Sequence, residues 1–347
     1  VPLIKHFITE RKGKLEQVRY GTRLLGLPKM GQPRPSDAGA KMHGLLHSKE
    51  RDHRAISYHY DRLPNDFFAP WLDSRMIYTC AYFSTPDDDL ETAQERKLDY
   101  ICHKLRLRPG ERLLDIGCGW GGLVIYAAQH YGVQVDGVVL STQQGELGRE
   151  RIRQLGLEQS CHIDICDYRE VNKPDGYYDK IVAVGIAEHL GKVSLPGYYK
   201  SVWGLLRPGG VFLNHSIGIH STARLILGRD FVHRYIFPDA EPTIPISTML
   251  QAAESAGFQV RDVENLKEHY VYTLRHWLRS YEEHADEVKK VTDELTYRSY
   301  RVFLAVALHE YEVQTAHLYQ TLLVKSDKGI TGLPLTRDDW YARVSLS

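Results

Sequence analysis

The stretch LLDIGCGWGGL, Leu113 to Leu123, decides the fold. Its first half is an apolar run of strand length. Its second half holds Gly117, Gly119 and Gly122 in the spacing G-x-G-x-x-G, which leads a strand into a helix past a bound ligand. Glycines there let the backbone come close to that ligand. Upstream, Leu90, Ala93, Leu98, Ile101 and Leu105 recur at near-helical spacing, with Asp89 as N-cap and Pro109-Gly110 as the turn that follows. Downstream, VQVDGVVL reads as a strand, STQQGELGRERIRQLG as a helix, CHIDICD and DKIVAVG as strands, LPGYYKSVWGLLRPGG as a helix and turn, and GVFLNHSI as a strand. Elements of this length in alternation predict an α/β fold with a doubly wound parallel sheet. After Ile217 the rhythm changes. An irregular insertion over about 218–247 reads as a lid, a further helix and strand follow, and the pattern over about 270–323 reads as C-terminal helices.

The chain has 347 residues, enough for one large α/β domain with additions. With 43% hydrophobic and 25% charged residues it has the composition of a soluble globular protein with a sizeable core. Formal net charge is zero, which argues against a general polyanion binder, but residues 1–54 hold twelve Lys/Arg against five Asp/Glu. This basic arm, with a short amphipathic helix expected in EQVRYGTRLLGL, suits an anionic partner such as lipid headgroups; a solvated leader is the alternative. A catalytic domain over 55–325 and a tail over 326–347 complete the expected organisation. Residues 55–83 are dense in aromatics and read as segments packed on something apolar. The five cysteines have no paired metal spacing, which suggests reduced thiols in a cytoplasmic protein and no metal site. No apolar run approaches the roughly 18 residues of a membrane span.

The glycine loop alone serves either a nicotinamide or an S-adenosylmethionine enzyme. Two details favour the second. Asp115 lies two residues before the first glycine, where methyltransferase loops use an acid to orient the positively charged end of the cofactor. Trp120 would crowd a pyrophosphate at the helix start. Asp136 is at a distance that could suit a ribose, yet it falls inside its strand. Leu140, Ser141 and Gln144 are better placed for contacts after the second strand, although Ser141 could equally be a helix N-cap. Asp167 and Tyr168 follow the third strand, where they could pair with and stack on an adenine.

Several stretches together resemble the cyclopropane fatty acid synthases and mycolic acid cyclopropane synthases. They are HYD (His59–Asp61), YTCAYF (Tyr78–Phe83), LETAQERKLDYIC, LDIGCGWGGL, EHLG (Glu188–Gly191), HSIG (His215–Gly218), YIFPDAEPTIP (Tyr235–Pro245) and HYVYTLRHW (His269–Trp277), in the family's order over roughly 55–285. The resemblance implies a seven-stranded Rossmann-like methyltransferase sheet and S-adenosylmethionine as methyl donor. It implies an acceptor double bond in an acyl chain, usually of an intact phospholipid, met at a membrane surface. It also implies a bicarbonate ion as base, held by residues matching Cys80, Glu188, His215, Ile217 and Tyr270, with Tyr60 and Tyr78 beside the cofactor.

The chemistry needs such a site. An alkene is a weak nucleophile and must meet the methyl group dry and aligned. Positive charge develops on carbon, and aromatic faces stabilise it without bonding to it. Tyr78, Tyr82, Phe83 and Tyr235 are the expected aromatic wall. Each cradle residue also has a plainer reading: His215 as a core histidine, Glu188 as a helix start, Cys80 as apolar packing. Two departures from the family stand out. Ala187 replaces a bulkier aromatic before the Glu and would widen the acyl pocket. Ala307 stands where the family commonly has a cysteine, which argues against thiol catalysis from that helix. A homodimer is compatible with the sequence, and no recognised nucleic-acid module is present.

Overall fold

In the computed structural model, residues 42–220, 231–232, 235–238 and 243–341 are described. The basic segment up to residue 41, with its expected short helix, and much of the expected lid lie outside them.

Strand β1 (Arg112–Ile116) is the centre of the molecule. Its side chains alternate between two apolar layers. Leu113 packs with Leu98 and Ile101 of α3 (Leu90–Leu105), whereas Leu114 and Ile116 pack with Tyr198, Tyr199 and Val202 of α6 (Gly191–Leu205). Helix α3 starts where the Asp89 carboxylate accepts from the Thr92 N–H at 2.8 Å. Helix α4 (Gly122–Tyr131) follows the glycine loop, and β2 (Gln134–Val139), α5 (Thr142–Gln154), β3 (Cys161–Ile165), β4 (Tyr178–Val184) and β5 (Leu206–Ile219) continue the alternation. After α7 (Ile246–Ser255) comes β6 (Gln259–Asn265). The sheet has seven strands in the order β3-β2-β1-β4-β5-β7-β6, parallel but for β7. The predicted α/β sheet is therefore present, with its order reversing at β1.

Strand β7 (Ala316–Val324) corrects the sequence reading, which carried helix to about 323. Helix α10 (Glu294–Glu312) stops, Gln314 takes a left-handed φ of 63°, and the chain returns as a strand between β5 and β6. Its second half is buried on both faces, polar Gln320 and Thr321 included, so it lacks the apolar–polar alternation of a half-buried strand, and this hid it behind a long helical pattern.

A third apolar layer caps the carboxyl ends of the strands. Phe67, Phe68 and Trp71, around α2 (Asn65–Phe68), pack with Trp277 and Tyr281 of α8 (Lys267–Glu283) and with Tyr300 and Leu304 of α10. This is the packing that the aromatic density of 55–83 predicts. Helix α1 (Lys49–Tyr60) crosses the boundary drawn at residue 54: its start is joined to the body through Asp52, so the arm and the catalytic domain meet within one helix. The short α9 (Ala285–Lys290) links α8 to α10. At the far end Trp340 is buried, with the Lys104 and Arg106 cations 5.4 and 5.2 Å from its ring, and Arg106 clasps Asp339 through two hydrogen bonds.

Candidate active site

A cavity of about 750 Å³ opens at the carboxyl ends of β1 to β4, the position where such sheets bind ligands. One part is lined by Gly117, Gly119, Leu140, Gln144, Cys166, Asp167 and Tyr168. Another is lined by Leu274, Phe303, Leu304, Val306 and Ala307, from α8 and α10. Tyr60, Tyr78, Gly122, Glu188, Ile217 and Tyr270 line the same cavity.

Gly117 and Gly119 explain the loop. Both have positive φ, 77° and 55°. A Cβ on Gly117 would fall 2.0 Å from Ile186 Cδ1, whereas a Cβ on Gly119 would meet nothing within 4 Å. Gly119 thus leaves open space beside the backbone for a ligand. Asp115, two residues before Gly117, also lines the cavity and is buried, and burial pushes its carboxyl up to about 7 against the pull of Lys97. Buried Lys97 donates to Thr79 Oγ1 at 2.9 Å and is itself brought down to about 8 by burial. No sequence motif singled out Lys97.

Ser141 resolves to the structural alternative. It caps α5, accepting from the Gln144 N–H at 3.2 Å, donates to Asp61, and does not line the cavity. Asp167 lines it, but Arg169 occupies its carboxylate through Nε at 2.7 Å and through Nη2. Arg169 also reaches Asp52 of α1 at 2.8 Å and the His47 carbonyl at 3.0 Å. His47, Asp52, Ile56 and Tyr60 all line the cavity, so α1 contributes to its wall together with the glycine loop. Among the five free thiols only Cys166 is not buried, and it belongs to this wall.

Glu188 follows β4 and is held by N–H donation from Ile217 on β5. Burial pushes it up to about 7, and its Oε2 has no hydrogen-bond partner. Burial raises the Tyr270 phenol well above the ordinary range, and the nearby Cys80 thiol and Glu188 carboxyl add to the shift. Cys80 is buried, donates its S–H to the Ala81 carbonyl at 3.2 Å, and is pushed up to about 12 by burial; it is a neutral thiol behind the cavity wall. His215 lies two residues before Ile217 on the same strand. The Gln320 amide donates to its Nδ1 at 3.2 Å, and burial keeps the ring neutral. Its buried Nε2 is unpartnered, and it too sits behind the lining. Glu188, Ile217 and Tyr270 are thus together at the cavity, with Cys80 and His215 as support.

The expected aromatic wall is corrected. Tyr82 stacks on His269 (4.4 Å) and meets Tyr100 at a tilt (4.5 Å), and Phe83 stacks on His276 and meets Tyr272 at a tilt (both 5.6 Å), outside the lining. Tyr235 packs against Phe231 and is not in the lining either. Ala187 is fully buried in the layer beneath β1 and β4, so it does not widen the pocket. The apolar lining comes instead from Phe237, Leu274, Trp277, Phe303, Val306 and Ala307. Sequence reasoning missed all but Ala307. The only available signal was the spacing 303, 306, 307, 310 and 311 on one helix, which any amphipathic core helix also has.

Among the described residues no group of three or more His, Cys, Asp and Glu could hold a metal ion, and no helix is long and apolar enough to cross a membrane. A family profile described as mycolic acid cyclopropane synthetase matches residues 47–321. A probable fatty acid methyltransferase of Pseudomonas putida is 42% identical over 304 residues, 85% of this chain and 75% of that one. Sphingolipid C9-methyltransferase A of Emericella nidulans is 35% identical over 81% of this chain and 55% of its own length. Among solved structures, the cyclopropane synthase MmaA2 from Mycobacterium tuberculosis superposes with a TM-score of 0.73 at 29% identity, covering 78% of this chain and 97% of that one. The mycolic acid cyclopropane synthase CmaA1, solved with S-adenosylhomocysteine, gives the same TM-score at 28% identity, covering 78% and 97%.

Proposed function

The chain belongs to the mycolic acid cyclopropane synthetase family, and from that premise we propose that it transfers a methyl group from S-adenosylmethionine to a double bond of an unsaturated lipid acyl chain, with ring closure to a cyclopropane. That it is an S-adenosylmethionine-dependent methyltransferase follows from the family and the fold. The acceptor and the product are the proposal.

The observation that carries it is the single cavity with two linings. The glycine loop, Leu140, Gln144 and Tyr168 line it, and so does the apolar set from α8 and α10. The first would hold S-adenosylmethionine, which supplies an electrophilic methyl group. The second suits a hydrocarbon chain and excludes the water that would compete with an alkene. Tyr60, Tyr78 and Trp277 line the space as well, and aromatic rings stabilise positive charge developing on carbon without bonding to it.

Loss of a proton must follow. Its C–H electron pair then closes onto the cationic carbon. Bicarbonate would supply a small base here, and Glu188, Tyr270 and the backbone at Ile217 would hold it. The unpartnered Oε2 of Glu188 fits a ligand with a hydrogen to donate. His215, neutral and buried, fixes the strand that presents Ile217. Cys80, far from ionised, serves as packing rather than as a nucleophile.

A second reading is a methyl-branched alkene, in which the proton leaves a chain carbon next to the cation instead of the transferred methyl, or a methylene branch, in which a hydride first shifts from the methyl-bearing carbon to the cation and the methyl then loses the proton. It is favoured by relatives named for fatty acid and sphingolipid methylation. The acyl chain would be met at a membrane surface, with the basic segment at residues 1–54 as the proposed contact.

Incubation with labelled S-adenosylmethionine and mixed unsaturated phospholipids tests the reading. Label is expected in the acyl chain, and NMR of the product separates a ring from a branch. Absence of incorporation across several lipids and free acids would overturn acyl-chain methylation.

A further inference from the structure

Tyr311 stands on the last turn of α10. It lines the cavity and packs its ring on Tyr270, centroids 4.6 Å apart at 51°. Its hydroxyl is buried and has no hydrogen-bond partner. A phenylalanine would make the same ring contact without leaving a polar atom unsatisfied, so the hydroxyl needs a partner that the protein itself does not supply.

Its neighbours say what kind. Tyr270, Cys80 and Glu188 all act electrostatically on Tyr311. Glu188 and Tyr311 line the same cavity, and both Glu188 Oε2 and the Tyr311 hydroxyl are shielded atoms without a hydrogen-bond partner. A phenol donates and a carboxylate accepts. A small species that accepts from the first and donates to the second would satisfy both. An oxyanion carrying one hydroxyl group, which is the form of bicarbonate, has both functions. Burial, with the nearby Glu188 carboxyl adding to it, holds both Tyr270 and Tyr311 well above the ordinary phenol range, so both remain donors at any working pH.

We propose that Tyr311 is a second phenol donor to the small oxyanion held by Glu188 and Tyr270. This rests on the bicarbonate reading above and adds to it a residue outside the resemblance. The hydroxyl fixes the base on the side facing α10, so that the proton it receives comes from the substrate carbon presented along the apolar wall.

The test uses the whole chain with S-adenosylhomocysteine bound. Tyr311→Phe removes one oxygen and keeps the ring. ¹³C-labelled bicarbonate is titrated and its dissociation constant read from line broadening, and turnover is followed in carbon-dioxide-depleted buffer as bicarbonate is returned. Tyr311→Phe is expected to raise both the dissociation constant and the half-saturating bicarbonate concentration about tenfold or more, with S-adenosylhomocysteine affinity held within about twofold. If Glu188→Gln weakens bicarbonate binding and Tyr311→Phe does not, the role of Tyr311 is overturned and the base reading stands. If the unaltered chain neither binds bicarbonate nor responds to its removal, both fall. Should Tyr311→Phe lose S-adenosylhomocysteine binding, 3-fluorotyrosine placed at 311 decides in the intact fold: bicarbonate is expected to shift its ¹⁹F resonance, and an unmoved resonance overturns the proposal.

Discussion

In the proposed reading, Glu188, a half-buried carboxyl whose Oε2 is shielded, serves chemistry at the expense of stability. Its value near 7, against an ordinary 4.5, comes first from burial. A raised folded value means that the folded state prefers the protonated form. That contribution is fully present below about pH 4.5 and is lost as pH rises through about 7. Glu188→Gln is therefore expected to abolish most turnover while making the fold more resistant to urea at pH 8, by roughly 3 kcal/mol, and much less so at pH 5. Urea titrations at the two pH values check the sign. Asp115 and the histidines act in opposite directions over the same range. Asp115, also raised to about 7, loses its contribution as pH rises. His59 and His189, lowered to about 3 and about 4 by burial, favour folding once pH exceeds 6.5 and lose that benefit as pH falls.

At the scale of elements, helix α1 and strand β7 matter most. Asp52 is the point where α1 is tied to the loop after β3, through Arg169 and on to Asp167. This ion pair is partly shielded from solvent, and the neighbouring Lys49–Glu170 pair is much more exposed. Asp52→Ala is expected to weaken S-adenosylmethionine binding about threefold to tenfold, and Lys49→Ala by less than about twofold, because exposed pairs contribute little. Calorimetric titration of both variants reads the difference. The sequence made β1 to β5 legible because glycines, caps and short apolar runs alternate there. Strand β7 was not legible, since its second half, buried on both faces, shows no alternation and follows a nineteen-residue helix without a proline or glycine between them. In the site, the glycine loop was legible because its chemistry constrains backbone, which only glycine satisfies. The apolar lining was not. Tyr82 and Phe83 sit in the same stretch as Tyr78, yet they turn to stack on His269 and His276, and a run of aromatics does not say which rings face a cavity and which face a helix.

Across the whole molecule, the two ends of the described chain both brace the sheet and its cap. Aromatic residues 67–71 fill the space between α8 and α10, and the tail returns to α3 through Trp340. Trp340→Ala removes that anchor without touching the cavity. It is expected to lower stability by about 2 kcal/mol, seen as a lower melting temperature, with turnover per folded molecule unchanged. A fall in turnover at full folding would mean that the tail reaches the site through α3 and Lys97.

The distribution of thiols has a practical outcome. Four of the five cysteines are shielded, and Cys166 alone combines partial exposure with a place in the cofactor wall. A mild alkylating reagent applied to the native protein should therefore count cofactor occupancy. The rate at one sulfur atom would report whether the donor molecule is in place, with no engineered label and independently of any acceptor lipid.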